Sequence, residues 1–259
     1  MKCKIYGLLI LALGLLSGSS LLYGQSRVLL DNYFNQETTT SGKPFHYLWT
    51  DEANSGFSQW GALFRQKGAQ LSTLRQAPTK ALLKGADVYI IVDPDTRLET
   101  KTPNYISADD IKNIVHWVRR GGILVLMAND SVNAEFPHLN QLAARFGLHF
   151  NPVISSHVVG KNWDMGAVAG LPGTPFEGLK KMYMKDVSTL QLSGGAQPLI
   201  QKKDDVFMAV TAQGKGHVVA VTDPWIYNEY IDHKYLPADF ENKQAAERFT
   251  AFLLELAGR

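Results

Sequence analysis

Cysteine is almost absent from this sequence. The 259 residues contain one cysteine, Cys3, close to the N-terminus. Residues 25–259 therefore contain no thiol, which excludes a structural disulfide, a cysteine-rich zinc site and a cysteine nucleophile from that part of the chain. Cys3 also precedes the apolar stretch of the N-terminus, whereas the lipid-bearing cysteine of a lipoprotein would follow it.

An excess of charge of one sign is also lacking. The chain has 26 Lys and Arg residues against 24 Asp and Glu residues, a formal net charge of +2. Lys2 and Lys4 lie in an N-terminal stretch without acids, so the remainder balances at 24 against 24. A neutral chain with scattered charges does not predict nucleic acid as a partner. The hydrophobic content of 45% and the aromatic content of 10% are typical of a globular protein.

The sequence has no apolar run long enough for a typical membrane span. The longest, residues 5–16, follows Lys2 and Lys4 and precedes the small residues 17–20. A spanning helix needs about 20 apolar residues, so this pattern favours a secretory signal over a membrane anchor. Cleavage is expected near Gly24 or just after Ser20. We therefore predict a signal peptide over residues 1–24, a single domain over residues 25–259, and a periplasmic or secreted location.

The first half of that domain alternates strand-like and helix-like segments. Short apolar runs predict strands at 27–31, 70–74, 87–92 and 123–127, and helical spacing predicts helices at 55–67, at 78–84, after Ser107 and up to Phe146. Repeated β-α units imply a parallel sheet with helices on both faces. Residues 151–186 show no clear period. Strands are then expected at 187–192, 206–211 and 217–222, the last two as an antiparallel hairpin extension, before a helix from about Asn242.

Polar side chains follow several of the predicted strands, where an open parallel sheet binds ligands. These ends predict that Asp31, Asp93, Asn129 and Asp130 line one cleft, with Trp225 or Tyr227 at its rim. Helix capping and turn formation are the alternative roles of the acids and amides. The candidate ligand-binding residues are Asp31, Asn32, Asp93, Asp95, Glu99, Asn104, Asn129, Asp130, Asn133, His138, Asp223, Trp225 and Tyr227. The candidate catalytic carboxylates are Asp31, Asp93, Asp95, Asp130 and Glu135.

Common cofactor and catalytic motifs do not occur. Glu135 and His138 have helical spacing, but no His-Glu-x-x-His run and no calcium loop is present. The first strand is followed by residues 31–35, which contain no glycine and so do not form a phosphate loop. No Gly-x-Ser-x-Gly nucleophile motif is found. We expect neither a cofactor nor a metal site, although calcium binding stays open.

A set of short motifs together resembles a known module. They lie at residues 28–35, 45–49, 56–58, 89–95, 99–100, 103–105, 117–118, 129–130, 133–135 and 223–230. The chain is similar to the DUF4350-type, glutamine-amidotransferase-like module of Gram-negative polysaccharide degraders. That module occurs alone or joined to an unsaturated rhamnogalacturonyl hydrolase domain of glycoside hydrolase families 88 and 105. The resemblance implies a flavodoxin-like α/β fold, like that of class I glutamine amidotransferases, and a place in pectin breakdown.

The chain departs from these relatives in ways that limit its chemistry. The amidotransferases use a Cys-His-Glu triad, and residues 25–259 have no cysteine. The α/α-barrel that carries the catalytic acid of families 88 and 105 does not fit a chain of β-α units. Three hypotheses follow: a non-catalytic accessory protein that binds a pectic oligosaccharide, a hydrolase of rhamnogalacturonan oligosaccharides that uses two carboxylates, and a docking domain for a family 88 or 105 hydrolase.

Overall fold

Residues 25–258 are described by the computed structural model, apart from the side chain of Ser156. The predicted signal peptide, residues 1–24, lies outside this range. Among the described residues, no helix has the length and apolar character needed to cross a membrane. The fold is α/β, as predicted, with one large mixed sheet and one small antiparallel sheet.

The strands alternate with helices in the first half and follow one another in the second. The strands are β1 Arg27–Asp31, β2 Gln70–Leu74, β3 Val88–Val92, β4 Ile123–Met127, β5 Leu148–Ser156, β6 Ala167–Val168, β7 Met182–Tyr183, β8 Val187–Leu192, β9 Gln197–Lys202, β10 Asp205–Gln213 and β11 Gly216–Val221. The helices are α1 Ser58–Gln66, α2 Lys80–Leu83, α3 Ala108–Arg119, α4 Phe136–Ala143, α5 Asn228–Ile231 and α6 Asn242–Leu256.

The large sheet has a parallel half and an antiparallel half. Its order is β2-β1-β3-β4-β11-β10-β8-β5, and β9 also pairs with β10. The first five strands of this order run parallel, because each pair from β1–β2 to β4–β11 is parallel. The pairs beyond β11 are antiparallel. The small sheet is formed by β6 and β7.

Side chains of the central strands point alternately to the two faces of the sheet, and each face is covered by its own hydrophobic cluster. Ile90 and neighbouring inward residues pack in one cluster with Trp60 of α1 and Phe249 of α6. Leu124 belongs to the opposite cluster, together with Ile114 of α3 and side chains of α4. Because both faces are covered, strands β3 and β4 are buried along their whole length, which explains their continuous apolar runs.

Local sequence signals set the helix ends. Ser107 and Asp110 form a capping box at the start of α3, as the serine predicted. Thr79 caps α2 by accepting a hydrogen bond from the backbone N–H of Leu82. After α4 the chain makes a short 3-10 turn and leaves it at Gly147, whose φ of 76° is left-handed.

The C-terminal half differs from the sequence-based expectation in two respects. The β10–β11 hairpin exists, but it does not extend the sheet from outside: β11 lies beside β4 and pairs with it in parallel. The sequence of β11 is almost wholly buried, so it suits this central position. Strand β5 and strand β9 were not predicted, because their polar and apolar residues do not alternate clearly.

Candidate functional site

Two adjoining hollows form a cleft beyond the carboxyl ends of β4 and β11. The first, of about 210 Å³, is lined by Asn129, Asp130, Asn133, Lys185, Asp186, Asp223, Tyr227, Glu229 and Tyr230. The second, of about 370 Å³, is lined by Asn54, Val158, Gly160, Trp163, Tyr183, Lys185, Glu229, Tyr230 and Tyr235. Three residues, Lys185, Glu229 and Tyr230, line both hollows, so we treat the two as one site, called the edge cleft.

Asp223 is the buried carboxyl group of the edge cleft. It follows β11 and is 1% exposed. Its Oδ2 accepts a hydrogen bond of 2.6 Å from the backbone N–H of Lys185. Burial raises the pKa of Asp223 well above its usual value, and the nearby carboxylates of Asp186 and Asp130 raise it further. A carboxyl group with a raised pKa in a cleft is suited to hold or donate a proton.

Asp93 lies behind the cleft and does not line it. Its Oδ2 accepts a hydrogen bond of 2.7 Å from the hydroxyl group of Tyr47, and its Oδ1 accepts one of 3.1 Å from the backbone N–H of Asn129. Burial raises the pKa of Asp93 well above its usual value. The ring of Tyr47 stands 5.9 Å from that of Tyr227. Asp93 is thus linked to the cleft by two tyrosines: Tyr47 donates a hydrogen bond to it, and Tyr227, which lines the cleft, lies next to Tyr47.

The backbone at Asp93 is strained. The residue has a φ of 33°, which is unusual for a residue other than glycine. Asp186, which lines the cleft, has a φ of 52°. Such conformations persist only where surrounding contacts hold them, and they are concentrated at functional sites.

Asp130 serves both the loop and the cleft. Its Oδ1 accepts backbone hydrogen bonds from Val132 at 2.7 Å and from Asn133 at 3.3 Å. Its Oδ2 accepts one of 3.1 Å from the side chain of Asn133. The capping role that the sequence left open is therefore present. The same loop also places Asn129, Asp130 and Asn133 on the cleft wall.

A chain of aromatic rings runs along the cleft. The rings of Trp163 and Tyr183 are 5.5 Å apart, those of Tyr183 and Tyr230 are 5.0 Å apart, and those of Tyr230 and Tyr227 are 5.6 Å apart. Each pair meets edge to face. Tyr235, 46% exposed, stands at the outer end of the cleft. Tyr183 and Tyr230 are buried, so the ring surface that the cleft offers next to carboxylates and amides comes from Trp163, Tyr227 and Tyr235.

Asn228 holds the aromatic segment in place. This residue is 3% exposed. Its Oδ1 accepts a hydrogen bond of 2.9 Å from the backbone N–H of Gln59. Its Nδ2 donates to the carbonyl groups of Asp51 at 2.9 Å and Ala53 at 2.8 Å. These bonds join the start of α1 to the start of α5, which carries Glu229 and Tyr230.

Several residues of the edge cleft were not among the candidates from the sequence. They are Asn54, Val158, Gly160, Trp163, Tyr183, Lys185, Asp186, Glu229, Tyr230 and Tyr235. Trp163 and Tyr183 fall in the segment without a clear period, where only its richness in aromatic residues gave a signal. Glu229 and Tyr230 directly follow the candidate Tyr227, and the mixture of acids and aromatics there is the signal that points to them.

Asp31 lies apart from the edge cleft, contrary to the expectation of one shared cleft. Its Oδ2 accepts a hydrogen bond of 2.5 Å from Tyr89, and its Oδ1 accepts backbone hydrogen bonds from Tyr33 and Phe34. Burial raises its pKa to about 6. Tyr89 packs in the layer that contains α3, so alternation along the strands directs this pair to the opposite face of the sheet from Tyr47.

Asn32 and Asn104 organise the same loop region as Asp31. The side chain of Asn32 donates a 2.8 Å hydrogen bond to the carbonyl group of Asn35. That of Asn104 donates one of 2.9 Å to the carbonyl group of Tyr33. The geometry gives both amides a structural role in the loop after β1.

Asp95 and Glu99 form a second acidic group in the loop after β3. Oδ2 of Asp95 accepts hydrogen bonds from Thr100 at 2.5 Å and from the backbone of Gln36 at 3.1 Å. Burial raises the pKa of Asp95 to about 6 and that of Glu99 to about 7, and Glu37 contributes to both shifts. Neither residue lines the edge cleft.

The remaining candidates cap a helix or fill the core. Glu135 caps α4 by accepting the backbone N–H of His138 at 3.0 Å, and its other oxygen lies 2.8 Å from Nδ1 of that histidine. The ring of His138 stacks on Tyr105 at 4.8 Å. Trp225 is 1% exposed and packs in the core beside Phe249, so it does not form the cleft rim. The side chain of Trp225 turns inward because large apolar rings bury the most surface.

Residues 25–258 contain no group of three or more His, Cys, Asp or Glu side chains arranged to hold a metal ion. The chemistry that the geometry of the cleft supports directly is hydrogen bonding and ring stacking.

Comparison with known proteins identifies the fold but not a family. No family model matches the chain, and no curated protein does. Among solved structures, the mmIFT52 N-terminal domain is similar with a TM-score of 0.64 at 15% identity, over 88% of this chain and 96% of that chain. The cytoplasmic protein STM1381 of Salmonella typhimurium LT2 is similar with a TM-score of 0.59 at 14% identity, over 90% of this chain and 99% of that one.

A carbohydrate enzyme also contains a region of similar fold. The β-galactosidase of Rahnella sp. R3 matches with a TM-score of 0.51 at 17% identity, over 90% of this chain and 31% of that chain. At these identities the likenesses show a shared α/β architecture alone.

Proposed function

We propose that this protein binds carbohydrate in the edge cleft, as a non-catalytic accessory protein of pectin (rhamnogalacturonan) breakdown. The observation that carries the proposal is the juxtaposition of aromatic rings with carboxylate and amide side chains in one cleft. Sugar rings present C–H faces that stack on aromatic side chains and hydroxyl groups that bond to carboxylates and amides. Pockets of this type join apolar walls to a few placed polar groups.

The biological setting of the proposal rests on the sequence. The motifs resemble the DUF4350-type module. This resemblance suggests a flavodoxin-like, glutamine-amidotransferase-like fold and an association with hydrolases of families 88 and 105. The N-terminal pattern suggests export to the periplasm or the medium. The similarity to part of a β-galactosidase supports this setting only by showing that a related fold occurs within a carbohydrate enzyme.

The charge of the cleft indicates which part of a pectic oligosaccharide it takes. Asp130, Asp186, Asp223 and Glu229 line it, and Lys185 is its only cationic residue among those that the structure describes. A uronate would bring a further negative charge beside Asp130, Asp186 and Glu229, and like charges repel. The edge cleft therefore suits neutral sugar units, whose hydroxyl groups donate hydrogen bonds to carboxylates.

Calorimetry with saturated and unsaturated rhamnogalacturonan oligosaccharides tests the proposal. The variant Trp163→Ala/Tyr235→Ala removes two rings of the cleft and is expected to weaken binding about tenfold or more, as truncation of aromatic anchors does. Tyr105→Ala is the matched control, because Tyr105 lies outside the cleft and stacks on His138. Binding that is equally strong in the cleft variant, or no binding at all, would overturn the proposal.

A hydrolase is the second candidate function, and Asp223 is the observation that favours it. Burial raises the pKa of Asp223, as a general acid requires, while Asp130 and Glu229 line the same cleft as partners for acid-base work. Product analysis of the incubated oligosaccharides decides between the two functions. Turnover that Asp223→Asn abolishes while binding persists would support the hydrolase. If neither binding nor turnover is seen, docking to a partner hydrolase becomes the working hypothesis.

A further inference from the structure

A groove lined with cations lies between α3 and α4, away from the edge cleft. It encloses about 520 Å³ and is lined by Ala108, Ile111, Lys112, Val115, His116, Arg119, Gln141 and Arg145. None of these lining residues is a carboxylate. We call this site the basic groove. The neutral overall charge of the sequence gave no sign of it.

Helix geometry gathers the basic side chains on one wall. Lys112, His116 and Arg119 are spaced at i, i+4 and i+7 on α3, so their side chains share one helix face. Arg145 follows α4 and stands on the other wall. Ile111 and Val115 contribute aliphatic surface between them. The groove thus has positive walls around an apolar patch.

The cations of the basic groove are available to a ligand. Lys112, Arg119 and Arg145 are exposed, and none of the three forms an ion pair with a carboxylate of residues 25–258. Like charges held together without counter-charges repel one another, and an anionic ligand would relieve this repulsion.

The positive surface continues beyond the groove. A neighbouring hollow of about 460 Å³ shares His116 with it and adds Lys80, Lys84 and Arg120, against one acid, Asp87. The two hollows together form a continuous surface with basic side chains, and this surface is larger than the binding site of a single small anion. An extended anionic chain matches this arrangement.

We propose that the basic groove binds a polyuronate, an oligosaccharide that carries a carboxylate on each ring. The guanidinium groups of Arg119 and Arg145 match carboxylates in geometry, and the aliphatic patch accommodates the C–H faces of the rings. Single-stranded nucleic acids bind where exposed aromatic side chains line a basic groove. The lining of this groove has no Phe, Tyr or Trp residue, and Trp117 of the neighbouring hollow is buried. The site is separate from the edge cleft and does not depend on it.

Titration of the purified protein with oligogalacturonate tests the proposal. Arg119→Glu/Arg145→Glu is expected to weaken binding about tenfold or more, because reversal replaces two attractions by two repulsions. Arg65→Glu/Lys67→Glu, at the end of α1, changes the net charge equally outside the groove and should leave the affinity within about twofold. Circular dichroism confirms that each variant folds.

Three outcomes would overturn the proposal: no binding of oligogalacturonate at low salt, equal weakening by both double variants, or tighter binding of a single-stranded oligothymidylate than of the polyuronate. Affinity should also fall as salt rises, since exposed charges are screened. The variant Trp163→Ala/Tyr235→Ala separates the two sites. It should keep full affinity for oligogalacturonate even if the edge cleft binds no sugar.

Discussion

The hydroxyl group of Tyr47 donates a 2.7 Å hydrogen bond to Oδ2 of Asp93. Both side chains are buried, and Tyr47 has a φ of 51° that aims its ring into the core beside Phe57 and Tyr227. The pair therefore connects the strained end of β3 to the edge cleft. Its energetic contribution can be measured by a double-mutant cycle.

Tyr47→Phe is expected to lower the free energy of unfolding by about 1–3 kcal/mol, because it leaves a buried carboxyl oxygen without its donor. In an Asp93→Asn background the same change should lower the free energy of unfolding by less, because a neutral amide without a hydrogen-bond partner is less unfavourable than a buried carboxyl group without one. Urea unfolding of the four proteins gives the coupling energy. Equal costs in both backgrounds would show that the hydrogen bond does not stabilise the fold.

Asp31 is expected to make stability depend on pH. Burial raises its pKa from 3.8 to about 6 in the folded state, so between these values the folded protein binds more protons than the unfolded chain. This contribution is complete below about pH 4 and is lost as the pH rises through 6. A shift of this size corresponds to about 3 kcal/mol.

Asp31→Asn should remove that part of the pH dependence, because an amide does not titrate and can still accept the backbone hydrogen bonds of Tyr33 and Phe34. Urea unfolding between pH 4 and pH 7 measures the slope. The exposed Asp204, changed to Asn, is the control and should keep the wild-type slope. A slope that is unchanged in Asp31→Asn would contradict the burial argument.

Asn228→Ala is expected to lower the free energy of unfolding by about 2–4 kcal/mol, because it leaves several backbone groups without partners. It should also weaken the binding of any ligand to the edge cleft, because Asn228 holds the segment that carries Glu229 and Tyr230. Asn113→Ala, which removes a single hydrogen bond to Pro78, is the milder control. Similar losses in both variants would argue against a special role for Asn228.

Gly56→Ala is expected to destabilise the fold by about 1–3 kcal/mol or more. A Cβ atom at this position would stand 2.0 Å from the carbonyl oxygen of Asp51, a backbone atom that cannot move aside cheaply. Gly195→Ala is the matched control, because a Cβ atom there meets nothing within 4 Å. Thermal unfolding measures the difference. Equal midpoint temperatures for the two variants would show that the short distance to the carbonyl oxygen of Asp51 does not affect stability.

Much of the fold could be predicted because local patterns decide it. The continuous apolar runs of β3 and β4 require helices on both faces, and Ser107 marks the start of α3 by capping chemistry alone. The strand ends also placed Asn129, Asp130 and Asp223 near one edge, where the structure brings them together. Asp31 was assigned to the same cleft, since the sequence does not show which face of the sheet a terminal side chain meets.

The amino-acid order by itself determined the β-α units, the buried strands and the absence of a thiol from residues 25–259. Only the tertiary structure decided that β11 enters the parallel half, that Trp225 turns into the core while Tyr227 reaches the cleft, and that Arg145 joins the cations of α3 in one groove. The physical reason is the distance along the chain over which each effect acts. Periodicity and capping act between neighbours in sequence, whereas clefts and charged grooves arise from long-range packing that balances burial over the whole chain.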